Sequence, residues 1–400
     1  MQQGQIAGKS LSLPALRLAA IGLLLTGVTR PYDLPPPANT FPLETDLSCA
    51  QASDQPPNDF RVTLTPAQEA RELDLYRRSI VITAHDHCWT PRDFIDQAKA
   101  GVTARVIKPL TDGYYRKGAE RFPIEAEVAG WQERGVATMA ILQNRAAASR
   151  GRIRIIRTVK DIRDVKLHHS AGMILSFEGG RPLAAKLENL RMYYGMGLRE
   201  LQLHWAISSP LKAADGGLTP FAESVIHEMD RLGIVLDISH MPERTFARAL
   251  EITRNPVVVS HCAAAFTEHS KAPGTDALDD QTIRKIAARG GVICLHFLEG
   301  YIHPRHGAAH ATVEDLVDHM DRIRQVAGID YIGMGPDYSP MKGWRWVEGA
   351  ENFAGMPNVV REMVRRGYTD EEVRKVLGGN LMRLYAAVWR SKGPGASRSD

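Results

Sequence analysis

The chain has 400 residues, and its 50 Lys and Arg against 46 Asp and Glu leave a formal net charge of only +4 at pH 7. The basic residues are scattered along the chain, which argues against a nucleic-acid partner. Hydrophobic residues make up 44% of the sequence, a share that suits a globular protein with a sizeable core.

The first 60 residues differ in composition from the rest and are predicted to form a hydrophobic leader and Pro-rich linker, residues 1–60. The apolar run Leu18–Val28 follows Lys9 and Arg17; it is short for a bilayer span but suits the hydrophobic region of a signal peptide. No clear cleavage site follows it. We expect an exported or membrane-anchored protein, associated with the membrane through this leader, and keep a cytoplasmic protein as the alternative.

Helical and extended segments then alternate, which predicts one domain over residues 61–390 and a polar tail at 391–400. Thr65-Pro66 is a helix start signal, with Thr as N-cap and Pro in the first turn. Strands are predicted near residues 79–84, 136–142, 172–177 and 198–203, whereas Gly101–Pro109 is ambiguous between a strand and an ordered loop.

The second half of the domain continues the alternation, with strands predicted near residues 234–238, 256–260, 291–297 and 331–335. Ile234–Ile238 and Val257–Val259 are apolar runs, each followed by Ser-His, with a helical segment between them, which is typical of a parallel βαβ unit. Eight strands that mostly alternate with helices predict an α/β fold, a (β/α)8 TIM-like barrel with an N-terminal leader and a C-terminal helical extension.

Seven residues with metal-binding or acid–base side chains fall at the C-terminal ends of these predicted strands. They are His85, His87, Glu178, His204, His240, His261 and Asp337. Because the chemistry of a (β/α)8 barrel lies at that end, we expect them to converge on one site. The mixture of imidazole and carboxylate suits zinc, and its size suits two ions bridged by a carboxylate. The chemistry implied is hydrolysis of an amide or ester.

Other candidate residues give weaker signals. Cys49, Cys88, Cys262 and Cys294 show no metal-binding spacing, and no disulfide framework is predicted. A His-rich loop with His303, His306 and His310 is predicted to be a lid or plain surface rather than a second metal site.

Several ordered motifs resemble the renal (membrane) dipeptidase family, the M19 zinc metallopeptidases of the amidohydrolase superfamily, over about residues 65–390. The similar stretches are the His-x-His near residue 85, Phe177–Gly180, Leu203-His204, Gly217–Pro220, Asp237–His240, Pro256–His261, Ala287–Val292, Gly328–Asp337 and Leu377–Asn380.

The resemblance implies a role for each candidate residue. His85 and His87 would bind the first metal, His240 and His261 the second, and Glu178 would bridge the two. Asp337 would be the proton-shuttling carboxylate beside the first metal and one of its ligands, and His204 would hold the scissile carbonyl. The implied cofactor is two Zn²⁺ per chain, the implied substrate a dipeptide or related amide, and the implied assembly a homodimer.

Two positions depart from the family pattern. His87 stands where the family has Asp, which leaves the site more positive. Lys271 lies where the family has the arginine that grips the substrate's carboxylate; it would attract a carboxylate only as a point charge, without a bidentate fork.

These departures keep three functions open. The first is a zinc-dependent dipeptidase. The second is an amidohydrolase that acts on a non-peptide amide, a lactone or a modified small molecule. The third is a metal-poor binding protein on the same fold.

Overall fold

The computed structural model describes residues 60–109, 114–117, 120–123, 130–205, 211, 213, 215–266, 277–339 and 343–389. Residues 1–59 of the predicted leader and linker, the predicted polar tail and Lys271 lie outside the described residues. In the stretches that are described, no helix has both the length and the apolar character that a membrane span requires.

Parallel strands form the centre of the fold. In chain order the strands are β1 Ile82–Asp86, β2 Ala104–Ile107, β3 Tyr114–Lys117, β4 Glu120–Pro123, β5 Ile153–Ile155, β6 Ala171–Leu175, β7 Glu200–Gln202, β8 Val235–Asp237, β9 Val258–Ala264, β10 Ala277–Leu278, β11 Val292–Leu295 and β12 Ile332–Met334. The main sheet runs β6-β2-β1-β12-β11-β9-β8-β7, with β5 beside β6 and β10 beside β9, and β3 and β4 pair as a separate antiparallel hairpin.

The main sheet closes on itself between β6 and β7. Parallel bridges join Leu175 to Leu198 and Glu178 to Gln202, and the Gln202 amide donates a hydrogen bond to the Phe177 carbonyl at 3.1 Å. β5 pairs with the first half of β6, below this seam. Since eight parallel strands meet in a ring in chain order, the predicted (β/α)8 barrel is confirmed.

Helices follow most of the barrel strands. They are α1 Pro66–Arg78, α2 Pro91–Lys99, α3 Trp131–Ala148, α4 Val159–Leu167, α5 Leu187–Met196, α6 Pro220–Leu232, α7 Glu243–Ile252, α8 Asp280–Ala288, α9 Val313–Ala327, α10 Met356–Arg365, α11 Asp370–Arg374 and α12 Asn380–Val388. Thr65 caps α1 as predicted, in a reciprocal capping box with Gln68.

The predicted strand at residues 136–142 is wrong, because this stretch lies inside α3. Its Ala, Met, Leu and Gln residues are strong helix formers. The second barrel strand is instead β2, which lies in the ambiguous stretch. Its short apolar pattern is interrupted by Arg105 and followed by Lys108, and both are fully buried. A buried strand that contains or adjoins charged residues is not recognised from hydrophobic periodicity.

The barrel interior is apolar at the N-terminal end of its strands. Ile82, Val106, Val235 and Val258 belong to one buried cluster, which α12 completes with Leu381, Leu384 and Tyr385. Arg383 of α12 donates to the Gly290 carbonyl, just before β11 begins. The C-terminal helix therefore closes this end of the barrel, and the polar side chains are left to the opposite end.

Cys88, one residue after His87, is disulfide-bonded, whereas Cys262 and Cys294 are buried thiols that form no disulfide. The sequence analysis predicted no disulfide framework and did not anticipate this bond. A four-residue cysteine set without a regular spacing gives no signal from which such a bond could be read.

Candidate metal centre

Six barrel strands carry the seven predicted residues to the C-terminal end of the barrel. His85 is the fourth residue of β1 and His261 lies within β9, while the other five follow the last residue of a strand. All are buried apart from His240, whose side chain is 17% exposed. The side chains of these residues therefore lie at the same end of the barrel, and the distances between them follow.

His85 and His87 form the first pair of imidazoles. Their Nε2 atoms are 3.2 Å apart. The pairing of β1 with β2 shifts register between Thr83 and Asp86. The adjacent residues Ala84 and His85 are both fully buried, and Ala84 belongs to the interior cluster. Irregularities of this kind re-aim side chains next to active sites.

Asp86 points away from the site, as the alternation of a strand predicts. Its carboxylate pairs with the buried Arg105 guanidinium at 2.9 Å and accepts a hydrogen bond from the Cys88 backbone N–H. The contacts of Asp86 thus hold the end of β1 on the side away from the site, and both histidines face the site.

His240 and His261 form the second pair, with Nε2 atoms 2.7 Å apart. Glu178 lies between the two pairs. Its Oε1 is 3.5 Å from His85 Nε2 and 3.7 Å from His240 Nε2, and its Oε2 is 3.4 Å from His87 Nε2. One carboxylate therefore contacts both imidazole pairs.

Asp337 lies beside the first pair. Its Oδ1 is 2.9 Å from His87 Nε2 and 3.6 Å from His85 Nε2. Asp337 and His240 both adopt left-handed backbone conformations, with φ of 57° and 59°. Such conformations are costly for residues other than Gly and cluster at functional sites.

His296 was missed by the sequence analysis, yet its Nε2 lies 3.1 Å from Asp337 Oδ2. It directly follows β11, which ends at Leu295. The predicted strand at 291–297 extended past this residue, so His296 lay inside the predicted strand and not at its end.

A buried polar layer lies beneath the histidines. Ser260 Oγ is 2.9 Å from His85 Nδ1 and 3.0 Å from His261 Nδ1. Lys108 Nζ reaches the same hydroxyl at 3.2 Å, pairs with Glu200 at 3.0 Å and contacts the Asp237 carboxylate. The sequence analysis did not predict this layer, because nothing in the strand patterns showed that these charged residues would be buried together.

The outward ring nitrogens decide where the imidazole lone pairs point. His87 Nδ1 lies 2.5 Å from the Lys108 carbonyl, an acceptor, so His87 donates from Nδ1. A neutral His87 then presents a bare Nε2 to the carboxylate oxygens of Glu178 and Asp337. Lone pairs that face each other at such distances require a cation between them or additional protons, and a metal ion meets this requirement.

Burial shifts the pKa values of the histidines and carboxylates of the site. Burial, with a neighbouring imidazole, holds the pKa of His85 and of His261 well below the ordinary value. Burial also raises the pKa of Glu178 to about 7. Burial opposes ionisation of Asp337 too, but His85 and His87 hold the pKa of its carboxyl well below the usual range. Neutral imidazoles with carboxylates are the ligand set that zinc takes.

Three overlapping groups of possible metal ligands follow from these distances: His85, His87 and Asp337; His85, Glu178 and His261; and His261, His296 and Asp337. His306, Asp315 and Asp318 form a fourth group, which shares no residue with the other three and in which His306 pairs with Asp318 at 3.0 Å.

His204 belongs to none of these groups within the described residues. It is buried, and its carbonyl accepts from the Gln202 amide nitrogen, which is also 3.3 Å from Glu178 Oε1. The residue thus follows β7 beside Glu178. Lys271, the predicted carboxylate-binding residue, lies outside the described residues.

Known proteins share this fold and sequence pattern. Among curated relatives, Dipeptidase 3 of Rattus norvegicus is 31% identical over 226 residues and Dipeptidase 3 of Homo sapiens is 30% identical over 226 residues. Each match covers 54% of this chain and 44% of the relative, so the chain spans less than half the length of these curated proteins.

Solved structures match over a larger share of the chain. The probable dipeptidase PvdM of Pseudomonas aeruginosa gives a TM-score of 0.71 at 17% identity, covering 82% of this chain and 100% of that one. A metallo peptidase of Rhodobacter sphaeroides, liganded with a phosphinate mimic of the dipeptide L-Ala-D-Ala, gives 0.66 at 21% identity, covering 78% and 100%. At these identities the likeness concerns the fold.

The family is decided by the sequence. The family model for membrane dipeptidase (peptidase family M19) matches residues 118–395, which is well over half of the chain. The chain belongs to the membrane dipeptidase family, peptidase family M19.

Proposed function

We propose that this protein is a dipeptidase that uses two zinc ions to hydrolyse the amide bond of dipeptides. The observation that carries the proposal is the position of Glu178 between two imidazole pairs, with His85 and His87 on one side and His240 and His261 on the other. A carboxylate shared by two groups of nitrogen ligands is suited to bridging two ions.

Each metal position has its own set of proposed ligands. His85, His87 and Asp337 would hold the first ion, His240 and His261 the second, and Glu178 both. Bound zinc would supply Lewis acidity that activates water near neutral pH and polarises the scissile carbonyl.

The remaining chemistry falls to side chains of the chain itself. Asp337, held ionised beside the first histidine pair, would accept a proton from the attacking water and pass it to the leaving amine. His204 would donate a hydrogen bond to the carbonyl oxygen as negative charge develops there. Lys271 would attract the substrate's free carboxylate as a point charge.

The substrate class is supported by the relatives, which include dipeptidases and a metallo peptidase bound to a mimic of L-Ala-D-Ala. The disulfide at Cys88 supports an exported protein, because disulfides persist in oxidising compartments. The proposal also includes association with a membrane through the leader, which cell fractionation tests. It further includes a homodimer, which light scattering tests.

The test is hydrolysis of L,L and L,D dipeptides and of their C-terminal amides by zinc-loaded protein of measured metal content. We expect cleavage of the free acids only, and loss of it in Glu178→Ala, which lacks the shared ligand. Equal cleavage of the amides would favour an amidohydrolase for other small molecules, which the His87 and Lys271 departures also suggest. Substoichiometric metal after reconstitution would favour a binding protein, and turnover retained by Glu178→Ala would contradict the bridging role.

A further inference from the structure

His296 is the one histidine of the site that has no assigned role. Its side chain is 1% exposed, and its Nε2 lies 3.1 Å from Asp337 Oδ2. With His261 and Asp337 it forms one of the groups of possible metal ligands. Two roles fit this position: a further metal ligand through Nε2, or a hydrogen-bond donor that holds Asp337.

The other ring nitrogen decides between these roles. The backbone N–H of Leu298 donates a hydrogen bond to His296 Nδ1 at 3.0 Å, so Nδ1 carries the lone pair. A neutral imidazole has a single ring proton, which is then on Nε2 and directed at Asp337. A nitrogen that carries a proton has no lone pair for a metal. This arrangement is the reverse of His87, whose Nδ1 donates to a carbonyl.

Packing holds the His296 ring in this orientation. The Tyr301 ring stacks on it, with centroids 4.1 Å apart and planes 16° from parallel. The His261 ring meets it edge-on at 5.3 Å. Since a flip of the ring would break the Leu298 contact and place a carbon against the Asp337 carboxylate, the ring has one favourable setting.

Asp337 is held on three sides as a result. Its backbone N–H donates to the His85 carbonyl at 3.2 Å, its Oδ2 faces His296, and its Oδ1 faces His87 at 2.9 Å. Only Oδ1 is thus directed at the first pair of histidines.

We propose that His296 is a positioning residue, which donates from Nε2 to Asp337 Oδ2 and so presents Oδ1 to the first metal position and to the reacting water. The proposal rests on the proposed function, since it concerns the carboxylate to which that function assigns proton transfer. Groups that orient metal-site residues in this way commonly contribute about 10- to 100-fold in activity or metal affinity.

The kinetic test compares His296→Phe with His296→Gln. Phe keeps a ring against Tyr301 but donates nothing, whereas the Gln amide can donate from near the Nε2 position. We expect kcat to fall about 10- to 100-fold in the Phe variant, to recover largely in the Gln variant, and the zinc content of both to equal that of the wild type. Loss of zinc in both variants, or a Phe variant as active as the wild type, would overturn the proposal.

A matched control is His319→Phe. His319 is also buried and its Nδ1 also accepts a backbone N–H, that of Ala264 at 3.1 Å, but it has no carboxylate of the site as a partner. We expect its kcat to stay at the wild-type value, which separates the loss of the donor from the general effect of replacing a buried histidine.

A readout independent of activity is the ¹⁵N NMR tautomer of His296 in zinc-loaded protein, with its signal identified by its absence from His296→Gln. We expect a proton on Nε2 and none on Nδ1. A proton on Nδ1, or an Nε2 bound to metal, refutes the positioning role. If the wild-type protein cleaves no dipeptide, the proposed function fails, while the tautomer still decides the role of His296.

Discussion

At the scale of single residues, the Ser260 hydroxyl links the two imidazole pairs. It lies within hydrogen-bonding distance of the Nδ1 atoms of His85 and His261, which belong to different pairs. Because both Nε2 atoms face the site, both Nδ1 atoms are free to donate to this oxygen. The Ser260 hydroxyl can then donate a hydrogen bond to Ser239 Oγ at 3.2 Å, and the Ser239 hydroxyl donates to Asp237 at 2.7 Å. One hydroxyl is therefore placed to orient two proposed ligands.

Ser260→Ala should weaken zinc binding at both positions by about 10- to 100-fold, because both histidines lose the acceptor that orients them. Competition titration against a chelator of known affinity measures this. The control is Ser79→Ala, which removes a buried hydroxyl that donates to the Leu75 carbonyl of α1 and contacts no residue of the candidate metal centre among the described residues. Unchanged zinc affinity in Ser260→Ala would show that the hydroxyl does not orient the ligands.

At the scale of secondary-structure elements, the strand ends are packed too closely for additional atoms. A Cβ at Gly335, the residue after β12, would lie 1.7 Å from the Ser260 carbonyl oxygen of β9. Gly335 thus lets the chain after β12 lie against β9, which is two strands away in the sheet, and the absence of a side chain there has a steric cause.

Gly335→Ala should lower the free energy of unfolding by about 2–3 kcal/mol, since backbone must move to accommodate the methyl group. The control is Gly195→Ala in α5, where an added Cβ meets nothing within 4 Å; it should raise stability by about 0.5–1 kcal/mol. Urea unfolding of the zinc-loaded variants provides both values. A Gly335→Ala variant as stable as the wild type would contradict the close approach of the strands.

Helix α9 contributes a buried histidine that makes stability depend on pH. Burial lowers the pKa of His319 to about 4, while the unfolded chain has the ordinary value of 6.5. Between these values the unfolded state binds more protons, so stability is complete above pH 6.5 and is lost as the pH falls toward 4. The loss amounts to about 3 kcal/mol.

His319→Asn should remove this part of the pH dependence, because the Asn oxygen can accept the Ala264 amide but does not titrate. Metal-free wild type and variant, unfolded by urea between pH 4 and 7, provide the comparison without a contribution from zinc release. Equal slopes of stability against pH would exclude His319 as the source.

At the scale of the whole molecule, the barrel interior is arranged in layers along its axis. Apolar residues and α12 fill the N-terminal end, the charged residues Lys108, Glu200 and Asp237 lie above them, and the candidate metal centre lies at the C-terminal end. Lys108 joins strands β2, β7 and β8 through its two carboxylate partners. Burial raises the pKa of Glu200 to about 7, although the Lys108 charge acts in the opposite direction.

Lys108→Met should lower the free energy of unfolding by about 3–5 kcal/mol, since two buried carboxylates lose their common cation. The combined change Lys108→Met, Glu200→Gln and Asp237→Asn should recover part of this loss, because it also removes the unpaired charges. Lys160→Met, at an exposed ion pair with Asp164, should leave stability nearly unchanged. A single Lys108→Met variant with wild-type stability would contradict the role assigned to this layer.

Sequence alone determined the barrel class, seven of its eight strands to within a few residues, and the strand ends at which the candidate residues lie. Apolar periodicity and helix start signals such as Thr65-Pro66 depend on neighbouring residues, so they can be read locally. The roles of the predicted ligands stay proposals, which the variants above test.

Only the tertiary structure decided the remainder, because it depends on partners distant in sequence. β2 is recognisable as a strand once Lys108 is seen beside Asp237, 129 residues away. β1 and β2 shift register beside His85, an irregularity that no alternation pattern contains. The role inferred for His296 depends on which of its ring nitrogens accepts the Leu298 amide, and that is a matter of three-dimensional geometry rather than of residue type.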